Sequence, residues 1–164
     1  MKTLNLASRK ISTDFPAFVM GIVNCTPDSF FSGSRGGAER AFELIGEGAD
    51  ILDLGGESTR PGSDYVSAEE EIKRIVPVIE KIRRKSDIPI SVDTRKKSVM
   101  QAAFNSGADI LNDISALEDE PELAFFAAEK KIPVILMHKR GIPSTMQADT
   151  EYKNIFNEVS SYLE

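Results

Sequence analysis

Short apolar runs alternate along the chain with longer stretches in which apolar residues return every three or four positions. The runs fall at residues 17–23, 50–54, 89–93, 109–113 and 133–138, hold β-branched residues and are bounded by Gly or Pro, which predicts five strands. Between the first two, Ala38, Ala41, Phe42 and Ile45 take helical spacing, and Gly46 and Gly48 supply a stop. Ser67 and Glu70 form a capping box ahead of a stripe of Ile72, Ile75, Val76, Ile79 and Ile82, with a kink predicted at Pro77. A third helix is predicted from about Lys96 to Asn105. A fourth starts near Pro121 with Leu123, Phe126 and Ala127 inward, and a fifth carries Tyr152, Ile155, Phe156 and Val159. Strands alternating with helices give a parallel sheet through right-handed crossovers, so the fold class is α/β. Residues 3–12 predict a small hairpin that plugs one end.

A weak repeat narrows the architecture. G-A-D-I-L-D at residues 48–53 returns as G-A-D-I-L-N at 107–112, on the second and fourth strands, making Asp53 and Asn112 equivalents. The third and fifth strands pair likewise, I-P-I-S-V-D at 88–93 against I-P-V-I-L-M at 132–137. A (β/α)8 barrel takes its inward layers from alternate strands and predicts such a two-strand period. G-A-D is also ordinary helix-stop and strand-start chemistry. Eight βα units need about 200–250 residues, and the pattern supplies five. The expectation is therefore an incomplete TIM (β/α)8 barrel, residues 1–164 being the N-terminal part of a single domain.

Charge and composition remove several classes. With 20 Lys and Arg against 26 Asp and Glu, the net charge of −6 argues against a nucleic-acid or anionic-membrane partner found by bulk attraction. One Cys and one His cannot build a disulfide framework or a zinc cluster, which fits a reducing compartment. The first ten residues lack the apolar core of a signal peptide and no run approaches a membrane span, so the expected location is cytoplasmic.

In parallel α/β folds the chemistry gathers at the C-terminal ends of the strands. All five runs end in polar groups: Asn24, Asp53 with Glu57, Asp93, Asn112 with Asp113, and His138. Each alone suits a turn or a helix cap; five in register point to a site, and buried acceptors there call for a donor-rich ligand. Two loops add to this. Residues 24–37 combine glycines with Phe30 and Phe31. Residues 55–63 set Ser58, Thr59 and Arg60 between glycines, an arrangement suited to an anion. Neither is a P-loop, and no G-x-G-x-x-G follows a strand, so a nucleotide cofactor is disfavoured.

G-I-V-N-C-T-P-D-S-F at 21–30 and D-L-G-G-E-S-T-R-P-G at 53–62 resemble the two signature segments of the dihydropteroate synthase family. S-V-D-T-R at 91–95, L-N-D-I-S at 111–115, and L-M-H at 136–138 followed by G-I-P-S-T-M-Q at 141–147 match in the same order, across about 130 residues. The resemblance implies a (β/α)8 barrel of folate biosynthesis that joins 6-hydroxymethyl-7,8-dihydropterin pyrophosphate to p-aminobenzoate and releases pyrophosphate, with Mg²⁺. It implies that Asp93 and Asn112 read the amino-pyrimidine edge of the pterin, with Asp53 in the same substrate-binding set, while Ile114 and Met137 pack its ring. Asn24 is implied as the Mg²⁺ or pyrophosphate contact, Thr59 and Arg60 as holders of pyrophosphate or the aminobenzoate carboxylate, and Phe30 as a flank to the aminobenzoate ring. A homodimer is implied for the full-length protein.

The chain departs from the family at Ser32, where an Asp is usual, and the family's later pterin-binding Asp and Lys and its phosphate-binding Arg and His are expected beyond Glu164, leaving this chain inactive alone. Other residues read as structural. His138 is expected to be hydrogen-bonded, Cys25 to be a small apolar residue, and Lys81, Arg83, Arg84 and Lys85 to form a solvated basic face ending a helix. Two further readings stand beside the enzyme. A corrinoid-dependent methyltransferase domain shares the pterin pocket but lacks both signature loops. A non-catalytic pterin-binding module is the other.

Overall fold

The computed structural model describes residues 1–26, 36–58, 65–141 and 150–164. Strands β1 (Lys2–Asn5) and β2 (Lys10–Thr13) pair antiparallel as the predicted hairpin. Five strands follow, β3 (Met20–Asn24), β4 (Ile51–Gly55), β5 (Ile90–Asp93), β6 (Ile110–Asp113) and β7 (Val134–Leu136), alternating with helices α1 (Gly37–Gly46), α2 (Ala68–Arg83), α3 (Lys97–Asn105), α4 (Glu122–Lys130) and α5 (Ile155–Leu163). The sheet is parallel throughout, in the order β3-β4-β5-β6-β7. A doubly wound sheet reverses strand order at a switch point. This one never does, and its five consecutive βα units are an arc of an incomplete (β/α)8 barrel.

Each strand shows one face to the helices. Val23, Leu52, Leu54, Ile90, Val92 and Leu111 are buried there with Ile75, Ile79 and Ile82 of α2, Val99 and Met100 of α3, and Leu123 and Phe126 of α4. Each such aliphatic side chain contributes about 1.5–3 kcal/mol by leaving water. On the inner face a second cluster forms at the N-terminal ends of the strands, where Leu6 of the hairpin packs on Ile51 and Ile110, with Leu4, Ile11, Phe18 and Met20 around them.

The repeat has a physical basis. Gly48 and Gly107 take positive φ of 98° and 108° just past α1 and α3, where a side chain is strained. The following Ala amides return to helix carbonyls, Ala49 to Leu44 and Ala108 to Ala103. The Asp side chains then accept from the strand alongside, Asp50 from the Val19 amide at 2.7 Å and Asp109 from the Ile90 amide at 3.0 Å. Each G-A-D thus stops a helix, starts a strand and fixes its register.

Three expectations are corrected. Arg83 does not belong to a solvated face. Its guanidinium donates to the carbonyls of Gly107, Ser86 and Ile88 and to Asp109 Oδ2 at 2.7 Å, because its Cα lies one turn past Ile79 on the buried side of α2. Burial lowers its pKa, and Asp109 opposes that. The stripe expected on the fifth helix is not inward: Ile155 and Phe156 are exposed, and Tyr152 precedes the helix, which is capped by Asn154. α5 is held by Arg140 to Glu158 and by the Tyr162 hydroxyl donating to Glu118 at 2.9 Å. In the capping box, Ser67 accepts from the Glu70 amide as expected, but the Glu70 carboxylate takes Arg74 at 3.1 Å. α2 runs as one helix through Pro77.

Candidate functional site

Pairing in register places Asn24 beside Gly55, Gly55 beside Asp93, and Asp93 beside Asn112, which faces Ile135 on β7. One step lower, Ile22, Asp53 and Ser91 are aligned. Since Val92, Leu54 and Leu111 face the helices, these polar residues share the inner face. Ile22 on β3 is exposed.

The acceptors form a cluster. Asn112 Nδ2 donates to Asp53 Oδ2 at 3.1 Å, whereas Asp53 Oδ1 and Ser91 Oγ, both buried, make no bond of good geometry. Burial raises the Asp53 pKa, while nearby Ser91 and Asn112 draw it back. Asp93 stands across Gly55 and is pushed up to about 7, first by burial and then by the negative charges of Asp53, Glu71, Asp113 and Glu57. A carboxylate so placed gains most from a ligand that brings N–H donors. Asp113 points the other way and shapes the rim. It accepts from the Ser115 and Leu117 amides at 2.7 and 2.9 Å, holding a turn in which Ala116 and Leu117 have positive φ. Ile114 and Met137, both half-buried, follow β6 and β7.

Other parts are distributed differently. Asn24 is exposed at the end of β3. Phe30, Thr59 and Arg60, together with Phe31 and Ser32, lie outside the described residues. The His138 ring packs on Tyr162, with centroids 4.8 Å apart, and on Tyr152 at 5.8 Å. Cys25 is fully buried, and burial pushes its thiol up to about 12. Among the described residues, no three His, Cys, Asp or Glu gather as a metal cage, and no helix is long and apolar enough to cross a membrane.

A second charged group sits behind Asp93. Lys96 Nζ lies 2.6 Å from Glu57 and 2.7 Å from Glu71, whose side chain is fully buried. Arg95 joins Glu57 at 3.2 Å to Asp119 at 2.6 Å. Burial opposes charge on both Glu57 and Lys96, but their bonds outweigh it, lowering the Glu57 pKa and raising that of Lys96. Sequence reasoning passed over Glu71 and Lys96. The signal for Glu71 was its position one turn before Ile75 on the apolar ladder of α2.

The profile of the family described as pterin binding enzyme matches residues 20–164. The dihydropteroate synthase of Synechocystis sp. is 45% identical over 151 residues, 89% of this chain and 52% of its own. That of Escherichia coli K12 is 46% identical over 150 residues, 88% of this chain and 53% of its own. Of solved structures, Yersinia pestis dihydropteroate synthase with a sulfonamide drug complex superposes with a TM-score of 0.87 at 37% identity, covering 98% of this chain and 60% of that one. The Thermus thermophilus enzyme with 4-aminobenzoate gives 0.83 at 38%, covering 99% and 58%. The chain spans about half the length of the curated relatives it matches.

Proposed function

Since the chain belongs to the pterin binding enzyme family, we propose that it supplies the pterin-binding half of a dihydropteroate synthase. In this reading residues 1–164 are the N-terminal part of one barrel domain, acting in the cytoplasm as part of a homodimeric full-length protein. The substrates are 6-hydroxymethyl-7,8-dihydropterin pyrophosphate and p-aminobenzoate. The aniline nitrogen attacks the pterin's exocyclic methylene carbon, the carbon–oxygen bond to pyrophosphate breaks, and the nitrogen loses a proton.

One observation carries the reading: Asp53, Asp93 and Asn112 stand together on the inner face as half-buried to buried acceptors, with one carboxylate oxygen of Asp53 unpartnered. An amino-pyrimidine edge presents the matching donors. Asp93 takes the ring and amino N–H groups and Asn112 the neighbouring edge, while Asp53 fixes which way the Asn112 amide points. Ile114 and Met137 cover the ring's apolar surface. Thr59 and Arg60 hold pyrophosphate or the aminobenzoate carboxylate, and Phe30 flanks the aminobenzoate ring.

The residues fit Mg²⁺ in a limited way. Asn24 offers an exposed amide oxygen at the rim, a hard ligand that suits an ion held mostly by substrate phosphates and water. A bound Mg²⁺ supplies positive charge to the departing pyrophosphate. The chain's own contribution is to bury the pterin head, orient its methylene toward the rim and exclude water below it.

The test is calorimetric titration of 6-hydroxymethylpterin into this chain and its Asp93→Asn variant. Binding that the substitution abolishes supports the reading. No binding by the native chain, or equal binding by the variant, overturns it.

A further inference from the structure

One side chain closes the turn that follows β6. Asp113 is fully buried, and its two carboxylate oxygens take the amides of Ser115 and Leu117, at 2.7 and 2.9 Å. Burial alternates at period two through this stretch: Leu111, Asp113 and Ser115 are buried, while Asn112 and Ile114 are half-buried. The two faces of the strand thus continue past its end, and Ile114 is the next inward residue after Asn112.

The turn is held at further points. Leu117 packs on the core beneath the helices, Ser115 Oγ accepts from the Asp119 amide at 3.3 Å, and the Tyr162 hydroxyl of α5 reaches the Ser115 carbonyl at 3.4 Å. The Asp113 carbonyl receives the Ala116 and Met137 amides, each at 3.3 Å. The residue that closes the turn therefore also meets the segment after β7.

Local chain preference does not explain this conformation. Ala116 and Leu117 hold φ of 53° and 69°, where a side chain crowds the backbone and glycine is the ordinary occupant. Nor does a carboxylate gain by leaving water for the helix side of a sheet; its charge is tolerated there because amide donors meet it. Backbone strain and a buried charge, joined in one turn beside the acceptor cluster, point to a conformation kept for the site. What that conformation places is Ile114.

We propose that Asp113 is a positioning residue for the pterin: its carboxylate holds the strained turn 114–117 closed and so fixes where Ile114 stands beside Asn112 when the heterocycle is bound. The inference rests on the function proposed above. Asp113 faces away from the ligand and acts through Ile114.

The test is a double-mutant cycle in 6-hydroxymethylpterin affinity, measured by calorimetry on the native chain, Asp113→Asn, Ile114→Ala and the double variant. Asn keeps an acceptor for the Ser115 amide but sets an N–H against that of Leu117. The expected result is a loss of about tenfold from Asp113→Asn in the native chain and of about threefold or less in the Ile114→Ala chain, where little is left to place. A merely structural role gives the same loss in both backgrounds. Equal losses, or unchanged affinity of Asp113→Asn, overturn the inference. If Asp113→Asn does not fold, amide exchange in the native chain decides. Saturating pterin should slow the Ser115 and Leu117 amides at least about tenfold more than those of Ala49 and Ala108, which close α1 and α3, and equal slowing overturns the inference. A native chain that binds no pterin refutes instead the function on which the inference rests.

Discussion

Asp53 and Asn112 hold the same place in the two copies of the G-A-D-I-L repeat, and their side chains meet on the inner face, the Asn112 amide donating to Asp53 at 3.1 Å. The repeat thus builds a pair. Its first three residues start both strands in the same way, and its last puts a carboxylate and an amide on the same face, Asp53 one inward step below Asn112.

That pair predicts a double-mutant result. Asn112→Ala leaves both oxygens of a buried carboxylate without a partner and should cost about 1–3 kcal/mol in denaturant unfolding. Adding Asp53→Asn to the same chain removes the stranded charge and should recover part of the loss. A double variant weaker than the sum of the singles would contradict the pairing.

Asp93 predicts the pH dependence. Its folded pKa of about 7 lies above the ordinary 3.8, so between about pH 4 and 7 the native state holds a proton that the unfolded chain has released. Stability should therefore fall as pH rises through this window, by up to about 1.4 kcal/mol per pH unit from this group. Asp93→Asn should remove that part of the slope and gain on the native chain most at about pH 8. Guanidinium unfolding of both proteins at about pH 5 and 8 decides it. Pterin affinity, which favours the carboxylate, should rise through the same range.

Gly56 predicts a packing limit. A Cβ there would stand 2.8 Å from Glu71 Cγ and 3.0 Å from Ile75. Gly56→Ala should lower stability by about 1–3 kcal/mol, read as a drop in Tm, and should weaken pyrophosphate binding because Gly56 begins the loop. An unchanged Tm would mean that α2 shifts freely, against its buried stripe.

Arg83 predicts a loss out of proportion to a surface arginine. Arg83→Met keeps the apolar stem but strands three carbonyls and leaves Asp109 only the Ile90 amide and Arg9, and should cost about 2–3 kcal/mol. The neighbouring Arg84→Met, at the helix end, should fall within about 0.5 kcal/mol of native.

Cys25 supplies a probe of global opening. With its thiol fully buried and pushed up to about 12, labelling by a thiol reagent at about pH 8 should follow unfolding and accelerate on adding urea. Fast labelling of the native chain would place Cys25 at the surface.

The sheet was legible because buried parallel strands need apolar runs and their helices need a 3.6-residue stripe, and both patterns survive in residues 17–138. The acceptor cluster was legible for the same reason: register follows from period two, so Asp53, Asp93 and Asn112 fell on one face. What escaped were charges placed within apolar patterns. Glu71, Ile75, Ile79 and Arg83 form a single ladder at four-residue spacing, but acidic and basic residues at helix ends ordinarily serve the dipole in water, which hid that Glu71 is buried, Arg83 half-buried, and both paired. The face of α5 was misread because aromatic and ionic contacts through Tyr162 and Glu158 set its rotation in place of the apolar residues. Phe30, Thr59 and Arg60 rest on the resemblance, outside the described residues.

The hairpin of β1 and β2 covers the N-terminal end of the inner face. With Leu6 seated on Ile51 and Ile110, apolar side chains fill the space on that side of Asp53, so a ligand does not come to the acceptors from there. A flat heterocycle that reaches Asp53 and Asn112 leaves its substituent pointing back toward the rim. A two-stranded stopper thus favours one orientation of such a ligand from the end of the sheet opposite its substituent.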